Sequence, residues 1–243
     1  MGELGWRNTD QRFNINVSDG WSTIQKIEMS EDNENWTVLD IDYANGATAD
    51  SYPLFDDERP LSDVYFRGTD SLGNVGNTKT VKFGIDKTAP KITVTPELTS
   101  SPEWRNSSVS VKITHSDKEG GSGVATTSGE YFLSKSASPT SVPTGSSLKG
   151  TYTSGTAFNI NPGTSGQYYL WVKQIADNAT NKSSTTNYVT IGGVVYHRYG
   201  LYKFDYNKPT ITVSPTSTTS PEWKNSALSV TVTHNDTGGS GVA

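Results

Sequence analysis

A seven-residue phrase that occurs twice constrains this chain more than anything else in it. Ser101-Pro102-Glu103-Trp104-Arg105-Asn106-Ser107 returns as Ser220-Pro221-Glu222-Trp223-Lys224-Asn225-Ser226. Its context returns with it. Pro90-Lys91-Ile92-Thr93-Val94-Thr95-Pro96 precedes the first copy, and Pro209-Thr210-Ile211-Thr212-Val213-Ser214-Pro215 precedes the second. Gly120-Gly121-Ser122-Gly123-Val124-Ala125 follows the first, and Gly238-Gly239-Ser240-Gly241-Val242-Ala243 the second. A worn copy opens the chain as Gly5-Trp6-Arg7-Asn8-Thr9, then Phe13-Asn14-Ile15-Asn16-Val17. The spacings are 98 residues from Trp6 to Trp104 and 119 from Trp104 to Trp223. That is too long for a solenoid repeat and suits a domain of about 100 residues. The chain therefore reads as three repeats: 1–86, 87–205 and 206–243.

Composition bears on what kind of domain repeats. Hydrophobic residues make up 32% of the 243, which is low, while aromatics reach 10%, with six Trp and twelve Tyr among them. Few but large apolar side chains fit thin two-layer β domains, in which each ring buries much area. The net charge is -5, and Lys and Arg never run together, so nothing here forms an electrostatic footprint for nucleic acid or an anionic membrane. There is no cysteine. A secreted eukaryotic array of small domains would be expected to carry disulfides, which leaves a cytosolic protein or a bacterial surface protein. The Ser/Thr-rich surface favours the second. Met1 to Gly5 has neither the basic nor the apolar part of a signal peptide, and no apolar run reaches 18 residues.

Alternation with a period of two predicts strands over 13–17, 25–30, 36–39, 63–69 and 78–85, with Ile27, Met29, Val64, Phe66, Val81, Phe83 and Ile85 facing inward and Lys26 and Glu28 outward. In the second repeat it predicts strands at 92–94, 109–113, 130–134, 158–160 and 167–175. The inward set Tyr168, Leu170, Val172 then jumps three positions to Ile175, which predicts a β-bulge there. Near 188–200 lies an addition that the first repeat lacks, read as a hairpin turning at Gly192-Gly193, after which 201–204 resumes the last strand. Asp86-Lys87-Thr88-Ala89-Pro90 is a short joint, stiffened by its proline. Trp104 and Trp223 are expected to cap one end of each core. The first repeat lacks its opening strand and the third stops after two, so the chain reads as a window on a longer array.

The joint at 86–90, the Trp-x-Asn openings at Trp104 and Trp223, and the Ser-Gly-Val loops at Ser122 and Ser240 together resemble the bacterial immunoglobulin-like repeats of surface proteins and adhesins. So does the Asp-x-x-Gly-Asn turn at Asp70 to Asn74, which Asp177 to Asn181 repeats with Thr180 in place of the glycine. The resemblance covers nearly everything except 188–200. It implies an all-β chain of tandem Ig-like, Greek-key β-sandwiches on the bacterial cell wall or outside the cell, used as stalk or adhesive module. Periodicity by itself reaches only tandem β-sandwiches.

Chemistry-bearing groups are sparse. Asp117, Glu119, Asp177 and Asn181 fall on loops that a sandwich of this type brings to one end, with Asp19, Asp70 and Asn74 as the first repeat's counterparts. Two readings stand: turn residues bonding their own backbone, and oxygen ligands for calcium. His115 and His234 share one repeat position at a strand end, and His197 sits in the addition. Without cysteine and without a shared domain they make no metal site. No nucleophile elbow, ordered triad or phosphate loop is present. Lys82, Lys112 and Lys173 fall on outward faces, which argues against a buried Lys–Asn crosslink. Tyr196, Tyr199 and Tyr202, with Tyr169 and Trp171, read either as core or as a stacking platform for sugar rings. The expected function is non-catalytic, a stalk, spacer or adhesion module. Its partners would be neighbouring Ig-like domains and a host-surface protein or glycan, with no nucleic acid and no membrane insertion. The alternatives are a carbohydrate-binding or accessory module of a secreted enzyme, and a phage decoration domain.

Overall fold

The computed structural model of the protein describes residues 2–39, 48–49, 54–97, 102–215, 223, 225–237 and 239–241. Ser101, Ser220 to Glu222, Lys224, most of the irregular stretch 40–53, and Val242-Ala243 lie outside the described residues. Contacts group the chain into two compact units: 1–92 with 115–127 and 175–184, and 93–114 with 128–174 and 185–243. The fold is all-β. Among the described residues the only helix is a single 3-10 turn at Ser146–Leu148, and no helix is long and apolar enough to cross a membrane.

The first unit contains β1 (Gly2–Arg7), β2 (Gln11–Arg12), β3 (Ile15–Asn16), β4 (Ile24–Ser30), β5 (Thr37–Val38), β6 (Thr48–Ala49), β7 (Leu54–Phe55), β8 (Arg59–Asp70) and β9 (Lys79–Ile85). Its main sheet runs β1-β9-β8-β4-β5, with β1 parallel to β9, and two short pairs, β2-β7 and β3-β6, lie apart from it. Of the strand expected over 13–17 only Ile15–Asn16 is paired, on β6, and Phe13 falls in the gap between β2 and β3. The Phe13 ring still serves the core. Phe13 meets Phe83 at 5.0 Å and Phe55 at 5.7 Å between ring centroids, beside buried Ile27, Val64 and Phe66. The outer face is less open than its alternation suggests. Glu28 is 5% exposed, because Lys26 (2.8 Å) and Arg67 (2.9 Å) reach over it and the Arg67 guanidinium lies 3.9 Å from the Trp36 ring.

The second repeat has β10 (Lys91–Thr95), β11 (Trp104–Arg105), β12 (Val109–Ser116), β13 (Ser128–Ser134), β14 (Lys149–Thr153), β15 (Ala157–Ile160), β16 (Gly166–Lys173), β17 (Tyr188–Ile191) and β18 (Val194–Phe204). One sheet runs β10-β12-β15, the other β11-β18-β16-β13-β14, with β17 on β18. Neighbours that are distant in sequence, split over two sheets, give the Greek-key order of an immunoglobulin-like sandwich. Tyr131 of one sheet packs at a tilt on Phe158 of the other, 4.7 Å between ring centroids, and the Tyr202 hydroxyl donates to the Pro96 carbonyl at 2.9 Å.

Three expectations fail here for one geometric reason. The hairpin expected near 188–200 does form, with β17 turning at Gly192-Gly193 into β18, but β18 then runs on as a single strand of 11 residues through 201–204, with no separate strand resuming there. The irregularity in its pairing with β16 falls between Tyr169 and Leu170, opposite Gly200 at φ +70, and not between Val172 and Ile175. Paired residues project to the same face. Tyr202, opposite Tyr168, and Tyr199, opposite Leu170, therefore face the sandwich interior, while Tyr196, opposite Lys173, faces the other side. Tyr202 is 0% and Tyr196 7% exposed, and burial pushes the Tyr199 phenol up to about 12. The three tyrosines do not share a face, and they make no exposed platform. Trp171 is buried too, stacked on Phe132, since β17 and Val142 cover the outer face of this sheet.

β19 (Thr210–Ser214) and β20 (Thr231–Asn235) form a two-stranded pair whose residues are all exposed. Trp104 lies on the edge strand β11 with the Lys203 ammonium 5.7 Å from its ring, and Trp223 is wholly exposed. Neither caps a core. In the first repeat the equivalent ring, Trp6, lies against Gly84, where an added Cβ would come within 2.6 Å of it. Gly84→Ala is expected to cost about 1–3 kcal/mol through overpacking, read from the midpoint of urea unfolding.

Candidate functional site

The Trp-Arg dipeptide explains itself through the strand it pairs with. β1 sets Arg7 beside Ile85, and the Arg7 carbonyl accepts the N–H of Asp86 at 2.8 Å. β11 sets Arg105 beside Phe204, and the Arg105 carbonyl accepts the N–H of Asp205, also at 2.8 Å. Each last strand is thereby held to its final residue and delivers an aspartate at a fixed place.

Both aspartates use their two oxygens alike. Asp86 Oδ1 accepts from Thr88 N at 3.0 Å and Oδ2 from Ser122 N at 2.6 Å. Asp205 Oδ1 accepts from Asn207 N at 3.0 Å, and its Oδ2 from Ser240 N at 2.7 Å and Ser240 Oγ at 2.8 Å. The Gly-Gly-Ser loop exists to admit this carboxylate. A Cβ on Gly121 would lie 2.9 Å from Asp86 Oδ2, and one on Gly239 would be closer still to Asp205.

The second loop at this end is the Asp177–Asn181 turn. Asp177 accepts from Asn181 N and Nδ2, both at 2.8 Å. Asn181 Nδ2 also donates to the Asp86 carbonyl at 2.7 Å and the Thr88 carbonyl at 3.3 Å, so the turn grips the joint. Asn178 Nδ2 donates to the Ser122 carbonyl at 2.8 Å and Ala179 N to Ser122 Oγ at 3.1 Å, tying the two loops together. Thr180 sits at φ +74, where the first repeat has Gly73 at φ +88. A β-branched residue there is strained, and this dense bonding holds it. In the first repeat Asp70 accepts from Asn74 N and Nδ2, each at 2.8 Å, and from Ser22 Oγ at 2.8 Å. These bonds, the Asn74 side chain's foremost, pull its carboxyl down to about 2.

Asp86 (1% exposed), Asp177 (2%) and half-buried Asp117 gather here with one oxygen of each within 4.8 Å of the others. Asp117 Oδ2 is shut off from solvent and takes no hydrogen bond. Burial, and the neighbouring Asp86 and Asp177 charges, push the Asp117 carboxyl up. The nearby ammonium groups are engaged elsewhere: Lys118 pairs with Glu58, and Lys87 with Asp10 at 2.5 Å. Calcium takes oxygens at about 2.3–2.6 Å, so one ion could touch all three carboxylates. The orphaned oxygen fits that use. Of the residues singled out in the sequence, Asp117 and Asp177 enter the group. Asn181 adjoins it as a donor, with its amide nitrogen spent on Asp177 and the joint. Glu119 is exposed and outside it. Asp86 joins the group from the joint itself, and the sequence signal for it is its recurrence as Asp205 at the second joint. Asp236, the counterpart of Asp117, likewise has a buried oxygen, Oδ1, without a partner.

No protein-family model and no curated protein matches the chain. Among solved structures it is similar to the D00-D0 domain of intimin, at 12% identity and a TM-score of 0.42, over 83% of this chain and 96% of that one. It is also similar to the fibronectin(III)-like modules of Clostridium thermocellum CbhA, at 12% identity and a TM-score of 0.30, over 84% and 90%. A third is chicken CNTN1 FN1-FN3, at 15% identity and a TM-score of 0.28, over 88% and 72%.

Two outcomes check the site. Asp86→Ala leaves the Ser122 and Thr88 N–H groups without acceptors and is expected to cost on the order of 1–3 kcal/mol, with faster hydrogen exchange at Ser122. Asp70, held low, contributes stability that is present above the ordinary carboxyl value and is lost as pH falls toward 2. An NMR titration of its carboxyl is expected to show a midpoint near 2.

Proposed function

We propose that this chain is a non-catalytic tandem immunoglobulin-like segment of a bacterial cell-surface or secreted protein, serving as a stalk, spacer or adhesion module beside neighbouring Ig-like domains. The observation that carries the reading is the duplicated joint, Asp86 on Ser122 and Asp205 on Ser240. A spacer must transmit force from one domain to the next. A short Pro-bounded segment clasped by backbone donors and an asparagine does that without disulfides. The Asp86–Asp117–Asp177 group acts in this reading as a calcium site that braces the joint, supported by the buried, partnerless Asp117 Oδ2.

Pulled from its two ends in a single-molecule measurement, the wild-type chain is expected to unfold in discrete steps and at higher force in millimolar calcium than in chelator. Binding at a calcium concentration 100 times Kd adds about 2.7 kcal/mol. Asp117→Asn is expected to ignore calcium and, in chelator, to be at least as strong as wild type, because it removes a crowded negative charge. Smooth extension at low force would count against the spacer, and an unchanged wild type in calcium against the cation site.

A further inference from the structure

The repeats share one pair of loops, and in the first repeat it is built differently. The stretch matching Asp117 to Ser122 is Asp19-Gly20-Trp21-Ser22, two residues shorter. The shortening lets Asp19 turn back on its own loop, where Oδ1 accepts the N–H groups of Trp21 at 2.8 Å and Ser22 at 2.7 Å. The serine N–H that the other repeats offer to a joint aspartate is here satisfied from within. A tryptophan also stands where Gly121 and Gly239 leave room for the joint carboxylate. This end of the first repeat is therefore closed to a joint like 86–90.

We propose that it is instead a saccharide-binding surface, with Trp21 as its stacking ring. Trp21 is 101% exposed, and on the adjoining loop Leu72 is 79% and Val75 57% exposed. Apolar side chains gathered on exposed loops mark a partner surface. Their frame is fixed: Ser71 N donates to the Thr23 carbonyl at 2.8 Å and Ser22 Oγ to Asp70 at 2.8 Å. Beside them is a cleft of about 370 Å³, lined by Asn16, Asp19, Asn74, Asn77 and Lys79 with Phe66 among its apolar residues. Amide, carboxylate and ammonium groups suit a ligand dense in hydroxyls, and a flat indole suits the C–H face of a sugar ring. A lipid chain or an apolar peptide would need an apolar cleft. The inference rests on the register of the repeats and not on the spacer reading, and the two fail separately.

The test applies the full chain to an array of defined oligosaccharides, followed by calorimetric titration of any that bind. Wild type is expected to bind saturably, Trp21→Ala at least tenfold more weakly, and Asn77→Ala more weakly than wild type. Trp21→Phe should keep most of the affinity. The melting temperature of all three variants should stay put, since Trp21 and Asn77 are exposed. Absence of any saccharide binding by wild type, or equal binding by Trp21→Ala, overturns the proposal. So does self-association of wild type that Trp21→Ala abolishes, which would assign the surface to a second copy of the chain.

Discussion

An aspartate carboxylate held between two backbone N–H groups is the interaction on which the joints of this chain depend. One oxygen closes a tight turn onto the second residue after it, at Thr88 or Asn207, and the other reaches a serine N–H on the next repeat's loop. Bonds to an ionised acceptor are roughly twice as strong as neutral ones, which matters where the joint is only a few residues long. The arrangement also dictates its surroundings. It requires glycine at 121 and 239, an asparagine at 181 to hold the joint carbonyls, and a Trp-Arg strand to aim the aspartate.

The same requirement crowds charge. Asp86 and Asp177 are almost wholly buried, and each is satisfied by donors, while Asp117 beside them keeps an oxygen that nothing bonds. Burying a charge without a partner is expensive unless a proton or a cation neutralises it. The clasp and the candidate cation site are thus one construction, since the carboxylates that grip the joint are those that an ion would draw together. In the first repeat the loop is shorter and Asp19 bonds its own backbone.

The repeat of the Trp phrase, the period-two alternation and the turn residues made the tandem all-β architecture legible, because each is a local rule that a strand or turn imposes on neighbouring residues. Asp117 and Asp177 were legible as a pair for a similar reason: both sit on turns that a sandwich gathers at one end. The tyrosines show where such reasoning stops. Tyr196, Tyr199 and Tyr202 were grouped by spacing, yet one extra residue at Gly200 reverses which face the following positions take. Sequence carries no local mark of which strand the bulge opposes. Trp171 and Glu28 lie on faces that alternation assigns to solvent, and they are buried because distant segments fold over them.

By itself the sequence determined most of the strands, the repeat, the joints and the residue types available for chemistry, since backbone geometry and side-chain alternation act over a few neighbours. Only the tertiary structure decided that Asp86 belongs with Asp117 and Asp177, and that Trp21 stands bare where its counterparts are glycines against a carboxylate. Those are relations between segments up to 91 residues apart, from Asp86 to Asp177, and only packing brings such segments into register.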